Sequence, residues 1–228
     1  MALTLVFGNK NYSSWSFRPW IAMTVAGIPF SEEVIPLYAP GSKARILAHS
    51  PAGKVPILTD GAARVWESLA ILDHLAERFP DAGLWPSDPT ARAHARSVAT
   101  EMHGGFAPLR KHCPMNVWRP VMRRELPADV AANVERIDAM WSDCRARFGR
   151  DGRFLFGRFS VADAMYAPVV SRFHTYDVPL GGASRAYMEA VMALPAWAQW
   201  KAAALAEAWV LEDAEVDWPT VHKVPEAR

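Results

Sequence analysis

The chain has 228 residues, 51% of them hydrophobic, and a formal net charge of +1 from 25 Lys+Arg against 24 Asp+Glu. That length allows a sizeable core and two compact units, while a balance so close to neutral supplies no long-range field for nucleic acid or an anionic membrane surface. The start, MALTLVFGNK, has no basic segment ahead of its apolar run and no stretch approaches an uninterrupted span, so a cytoplasmic protein with neither membrane nor nucleic-acid partner is expected.

In chain order, LTLVFG reads as a buried strand, SFRPWIAMTVAGI as a helix and EEVIPL as a second strand. KVPILTDGAARVWES then offers two short apolar runs around Asp60-Gly61, a hairpin signal. ESLAILDHLAERFP has apolar residues at helical spacing and stops at Pro80. The segment FPDAGLWPSDPT, with three prolines, has the composition of a connector. The expected domains are therefore residues 1–80, a linker over 81–90, and an all-helical unit over 91–228. Helical stretches are expected near 90–112, 127–148, 160–174 and 184–209, with Pro195 in the first turn of a closing helix. Ser160 and Asp163 have the spacing of a structural capping box. The end, DWPTVHKVPEAR, is expected to be a loosely held tail.

Cys113 and Cys144 form no C-x-x-C pair, and the seven histidines show no ligand spacing, so neither a disulfide framework nor a metal is expected. Without G-x-G-x-x-G or a Walker loop, no nucleotide is expected either. The chemistry sits elsewhere. NYSSWSFRPW brings hydroxyls to the turn where the first strand hands over to a helix, and a helix start with hydroxyl donors favours an anion such as a ligand thiolate. In SPAGKVPIL, the Val55-Pro56 pair ahead of the hairpin is either an ordinary edge-strand proline or one that leaves the backbone of Val55 open to an extended peptide. In VWESLAILDHL, Ser68 and the first N–H groups of a helix suit a carboxylate while Glu67 suits an ammonium, or else Ser68 only caps the helix and Glu67 complements its dipole.

The β-α-β-β-α order resembles a thioredoxin-type fold, here with serines where redox members carry C-x-x-C. With SSWSFRPWIAM, SPAGKVPIL, ESLAILDHLAERFP and FLFGRFSVADAMYAPV in order, the chain resembles a cytosolic glutathione S-transferase of the serine type, zeta- or theta-like, from about Leu3 to Trp209. The resemblance implies an α/β thioredoxin-like N-terminal domain, an all-α C-terminal domain and a homodimer. Glutathione as co-substrate would place its γ-glutamyl head on Glu67 and Ser68, its cysteine backbone on Val55 beside a cis Pro56, and its glycine carboxylate near Lys54. Ser13 is implied as the hydroxyl that activates the thiol, with Ser14 second and Tyr12 a poorer choice. The zeta branch follows its serines with a cysteine where this chain has Trp15, which counts against isomerase and reductase chemistry. The expected activity is conjugation of glutathione to a small electrophile. Met102, Phe106, Arg110 and Met115 are either the second-substrate pocket or, for the first two, core residues at helical spacing.

Overall fold

The computed structural model describes residues 2–215; the expected loose tail over 217–228 lies outside them. The chain begins with β1 (Leu3–Phe7), α1 (Ser14–Val25), β2 (Phe30–Val34), α2 (Ser42–His49), β3 (Ile57–Asp60), β4 (Ala63–Trp66) and α3 (Ser68–Arg78). The four strands form one sheet in the order β2-β1-β3-β4, with β1 parallel to β2 and antiparallel to β3. β3 and β4 pair Asp60 with Ala63 across a two-residue turn in which Gly61 takes φ 58°, a left-handed conformation that suits glycine.

Six further helices follow among the described residues: α4 (Pro89–Gly104), α5 (Ala107–His112), α6 (Ala128–Phe148), α7 (Val161–Thr175), α8 (Gly182–Met192) and α9 (Pro195–Ala206). α1 is buried on nearly all sides because it lies between the sheet and the helical half, touching α3, α7 and α9. A single hydrophobic cluster therefore runs from Leu5, Phe7 and Ile21 to Trp141, Met165 and Trp200. The opposite sheet face buries Val6, Ile35 and Ile57 under Ile46 of α2.

Three expectations change. The helix α2 was not expected, since apart from Ser42 it buries only Ile46 and its sequence shows no apolar stripe. The stretch 90–112 is two helices: Gly105 and Phe106 break it, Phe106 at φ 58°, and Pro108 sits in the first turn of α5. In the last stretch Pro195 opens the closing helix α9 as expected, but that helix ends at Ala206 rather than near 209.

Candidate functional site

The turn between β1 and α1 is fixed from a distance. Lys10 and Asn11 donate their backbone N–H groups to the Glu207 carboxylate at 2.6 and 3.0 Å, and Asn11 Oδ1 accepts from Trp118 N at 3.0 Å. These bonds present Ser13 as the N-cap residue of α1 and Ser14 as its first helical residue. Ser13 makes no capping bond with its side chain. Its Oγ instead lies 2.7 Å from Ser16 Oγ, which accepts from Gly8 N at 3.1 Å. Ser14 Oγ accepts from Arg172 Nη2 at 3.2 Å.

Arg172 is buried, with its other donors on the carbonyls of Cys113 and Pro168. Burial lowers its pKa to about 10, so it remains a cation at neutral pH. Tyr12 faces a different partner: it donates its phenol proton to Glu215 at 2.6 Å, and burial together with that bond raises its pKa well above the usual value. A thiolate would have to compete with a carboxylate for that proton, so the two serines are better placed to donate.

Ser13 and Ser14 open onto a cavity of about 670 Å³, whose walls include Arg110, Met115, Arg172 and residues 210–214. Of the four residues expected around a second substrate, Arg110 and Met115 are here. Met102 and Phe106 are not: both are buried in the main hydrophobic cluster, because the face of α4 that carries Met102 turns toward the core.

The five residues expected around glutathione do meet. Lys54, Val55, Pro56, Glu67 and Ser68 line one cavity of about 150 Å³ together with Trp15 and Trp66. The Val55–Pro56 peptide is cis, and Val55 stands just outside the sheet, ahead of β3. Glu67 occupies the N-cap of α3 at φ 68°, a strained backbone for a side chain of this kind, and such strain concentrates at ligand clamps. Its side chain is half exposed, 3.5 Å from His103. Burial holds His103 below its usual pKa, against the opposing pull of the Glu67 carboxylate. Ser68 is buried, and its hydroxyl makes a long 4.0 Å contact to Met165 Sδ.

Trp15 is the residue common to both cavities. Arg18 lies 3.9 Å from the centre of its ring and Arg110 5.5 Å away, while His103 meets it edge-on at 5.4 Å. Arg18 is fully buried, with Nε on the Met165 carbonyl and, among the described residues, no partner for Nη1 or Nη2. The sequence reading missed Trp15 as a wall, Ser16, Arg18, Arg172 and Glu207. A usable signal existed for Arg172, a lone cation inside the apolar run of α7.

A sheet of this topology with a cis-proline loop, joined through one core to a helical half, defines a class of fold: a thioredoxin-like domain followed by an all-helical one. Residues 12–78 match the family model for the glutathione S-transferase N-terminal domain, and residues 127–203 that for the C-terminal domain. The chain belongs to the glutathione S-transferase family of glutathione-dependent enzymes.

It is 35% identical over 97 residues to a probable maleylacetoacetate isomerase from Caenorhabditis elegans, covering 42% of this chain and 45% of that relative, under half its length. To the maleylacetoacetate isomerase of Rhizobium meliloti (strain 1021) it is 30% identical over 176 residues, covering 74% and 81% of the two chains. A glutathione transferase homologue from Burkholderia GL BGR1, solved with bound glutathione, superposes with a TM-score of 0.67 at 22% identity, covering 91% of this chain and all of that one. At that identity the likeness concerns the fold.

Proposed function

We propose that this protein binds glutathione in the cavity of Lys54, Val55, Pro56, Glu67 and Ser68, holds its thiolate at the serine turn, and adds it to a small electrophile. The observation that carries the reading is the meeting of two cavities at Trp15: one holds the five peptide-binding candidates, the other Ser13 and Ser14. Glu67 takes the γ-glutamyl ammonium, Ser68 and the start of α3 its carboxylate, Val55 the cysteine backbone and Lys54 the glycine carboxylate. Ser13 donates to the thiolate, with Ser14 second, and the electrophile enters beside Arg110 and Met115. The thiolate sulfur forms the new bond, and a halide or other leaving group departs with its electron pair. Turnover of a generic aryl halide, measured beside a glutathione binding isotherm, tests the proposal: binding without turnover across a broad electrophile panel would make the protein a binder only.

The likeness to two maleylacetoacetate isomerases favours one second reading. The same thiolate could add reversibly to a cis double bond and leave it trans, and Arg110 and Arg172 would suit a carboxylated substrate. Glutathione-dependent isomerisation of a maleyl keto acid, with no conjugate accumulating, would select it.

For recognition, Ser68→Ala should weaken glutathione binding by about tenfold to a hundredfold, since a hydrogen bond to a charged group contributes roughly 1.5–3 kcal/mol. Glu67→Ala should act in the same direction. Calorimetry that finds both variants at wild-type affinity would reject the head-group site.

The two units are proposed to span residues 1–80 and 91–228 with the linker 81–90 between them, and the molecule to be a two-fold homodimer. Tyr38 and Leu47, both exposed, lie in the segment 37–50, which is proposed to face α4 of the partner across the axis. Light scattering should give twice the 25.3 kDa chain mass; the single-chain mass at micromolar concentration would reject the dimer.

A further inference from the structure

His103 is the next to last residue of α4 and stands beside the side chain that would hold the amino end of the ligand. Its Nε2 lies 3.5 Å from Glu67 Oε2 and its ring meets Trp15 edge-on at 5.4 Å. Its Nδ1 is buried, with no hydrogen-bond partner among the described residues. A carboxylate beside Nε2 favours the neutral tautomer that carries its proton there. A second proton would have to go to Nδ1, where the described residues provide no acceptor, and a buried N–H without one is costly.

The charges that reach this ring are of both signs. The start of α3 contributes Glu67, α1 contributes Arg18 and α5 Arg110. α7, also packed on α4, presents Tyr166, whose hydroxyl bonds to the Val98 carbonyl at 3.5 Å and whose pKa burial raises well above the usual value, so it adds no charge. On α4 itself Glu101 is paired with Arg136 of α6 at 2.7 Å. Burial is the largest cause that holds His103 below its usual pKa; Glu67 acts against it, and Arg18 and Arg110 act with it. An ammonium in the glutathione cavity would therefore compete with an imidazolium for the Glu67 carboxylate, and the two cations would repel each other.

We propose that His103 is a positioning residue for the amino end of the ligand: neutral, it yields the Glu67 carboxylate to the ligand ammonium, and protonated, it holds that carboxylate for itself. The inference rests on the reading that Glu67 receives the γ-glutamyl ammonium. An occupied Glu67 no longer favours the imidazolium, and the ammonium beside it opposes one, so the bound state holds the His103 proton less tightly than the free protein does. Affinity therefore falls as pH drops through the His103 titration. By reciprocity, the bound ligand lowers the His103 pKa by the same factor.

S-Methylglutathione is the probe, since it keeps the ammonium and has no thiol to titrate. Saturation with it should lower the His103 pKa, read from the ring signals by NMR, by about 0.5 to 1, which corresponds to an affinity about threefold to tenfold weaker for the imidazolium form. Calorimetry should find that loss in wild type as pH falls, and a flatter profile in His103→Gln, whose amide offers Glu67 a donor but does not titrate. Asp163, with its pKa raised to about 6, is common to both proteins and cancels in the comparison. In Glu67→Ala the His103 pKa should be lower in the free protein and insensitive to the ligand. A His103 titration unchanged by bound S-methylglutathione, or a wild-type pH profile in His103→Gln, would overturn the inference and leave the head-group site standing. Wild-type affinity in Glu67→Ala would instead reject the head-group site, and the inference with it.

Discussion

Ser13→Ala is expected to cut turnover by about tenfold to a thousandfold while leaving glutathione affinity within a few fold, the pattern of an interaction made with the reacting sulfur rather than in recognition. The magnitude follows from what a thiolate needs. Lowering a thiol pKa by about two units from its reference near 8.5 takes roughly 2.7 kcal/mol of preference for the charged form. One hydrogen bond to an ion supplies about 1.5–3 kcal/mol, and a helix N-terminus adds about 0.3–1 kcal/mol.

The hydroxyl network prepares Ser13 for the task. Gly8 N–H donates to Ser16 Oγ, so when the Ser16 O–H donates to Ser13 Oγ the Ser13 O–H is left to donate to the ligand. Ser14, which accepts from Arg172, retains its own proton as well. Ser14→Ala should therefore cost less than Ser13→Ala, and Ser16→Ala should fall between wild type and Ser13→Ala because it removes only the alignment. The readout is the ultraviolet thiolate absorbance of the glutathione complex against pH. A Ser13→Ala complex that titrates like wild type would refute the assignment.

How far the sequence could be read depended on the distance over which each feature is built. The hairpin at Asp60-Gly61, the capping box of α7 and the cis-proline loop are each contained within a dozen residues, and each appears in the structure. The peptide-binding candidates were legible for the same reason, since SPAGKVPIL and VWES are local runs that one cavity gathers. Partners that fix the serine turn were not, because they come from the far end of the chain: Arg172 lies 158 residues from Ser14, and Glu207 lies 197 from Lys10. Only tertiary packing brings them together. Met102 shows a different limit. Helical periodicity identifies the inward face of α4 but does not distinguish a core from a cavity wall, and here it is core.

A second large effect belongs to Asp163, whose replacement should lower stability rather than chemistry. The carboxylate is fully buried at the start of α7 and accepts from Leu155 N at 3.1 Å, Ser160 N at 2.8 Å and Ser160 Oγ at 2.9 Å. α7 is the helix that α1 packs against and the one that carries Arg172 to Ser14, so its first turn supports the serine site from behind. Asp163→Ala leaves two buried backbone N–H groups without acceptors, each at about 1–3 kcal/mol. A net loss of about 3 kcal/mol at pH 5 corresponds, for a chain of this size, to a fall in Tm of roughly 6–12 °C.

The loss should depend on pH in one direction. Burial outweighs the hydrogen bonds that the carboxylate accepts and raises the Asp163 pKa from 3.8 to about 6. The folded state thus binds this proton more tightly than the unfolded one, and the contribution of Asp163 to stability is greatest below pH 3.8 and declines as pH rises through about 6. Alanine has no such dependence, so the gap between wild type and variant should narrow from pH 5 to pH 7. Thermal unfolding at the two pH values checks both statements: a Tm within 2 °C of wild type at pH 5 (against the roughly 6–12 °C expected), or a gap that widens with pH, would remove Asp163 from this role.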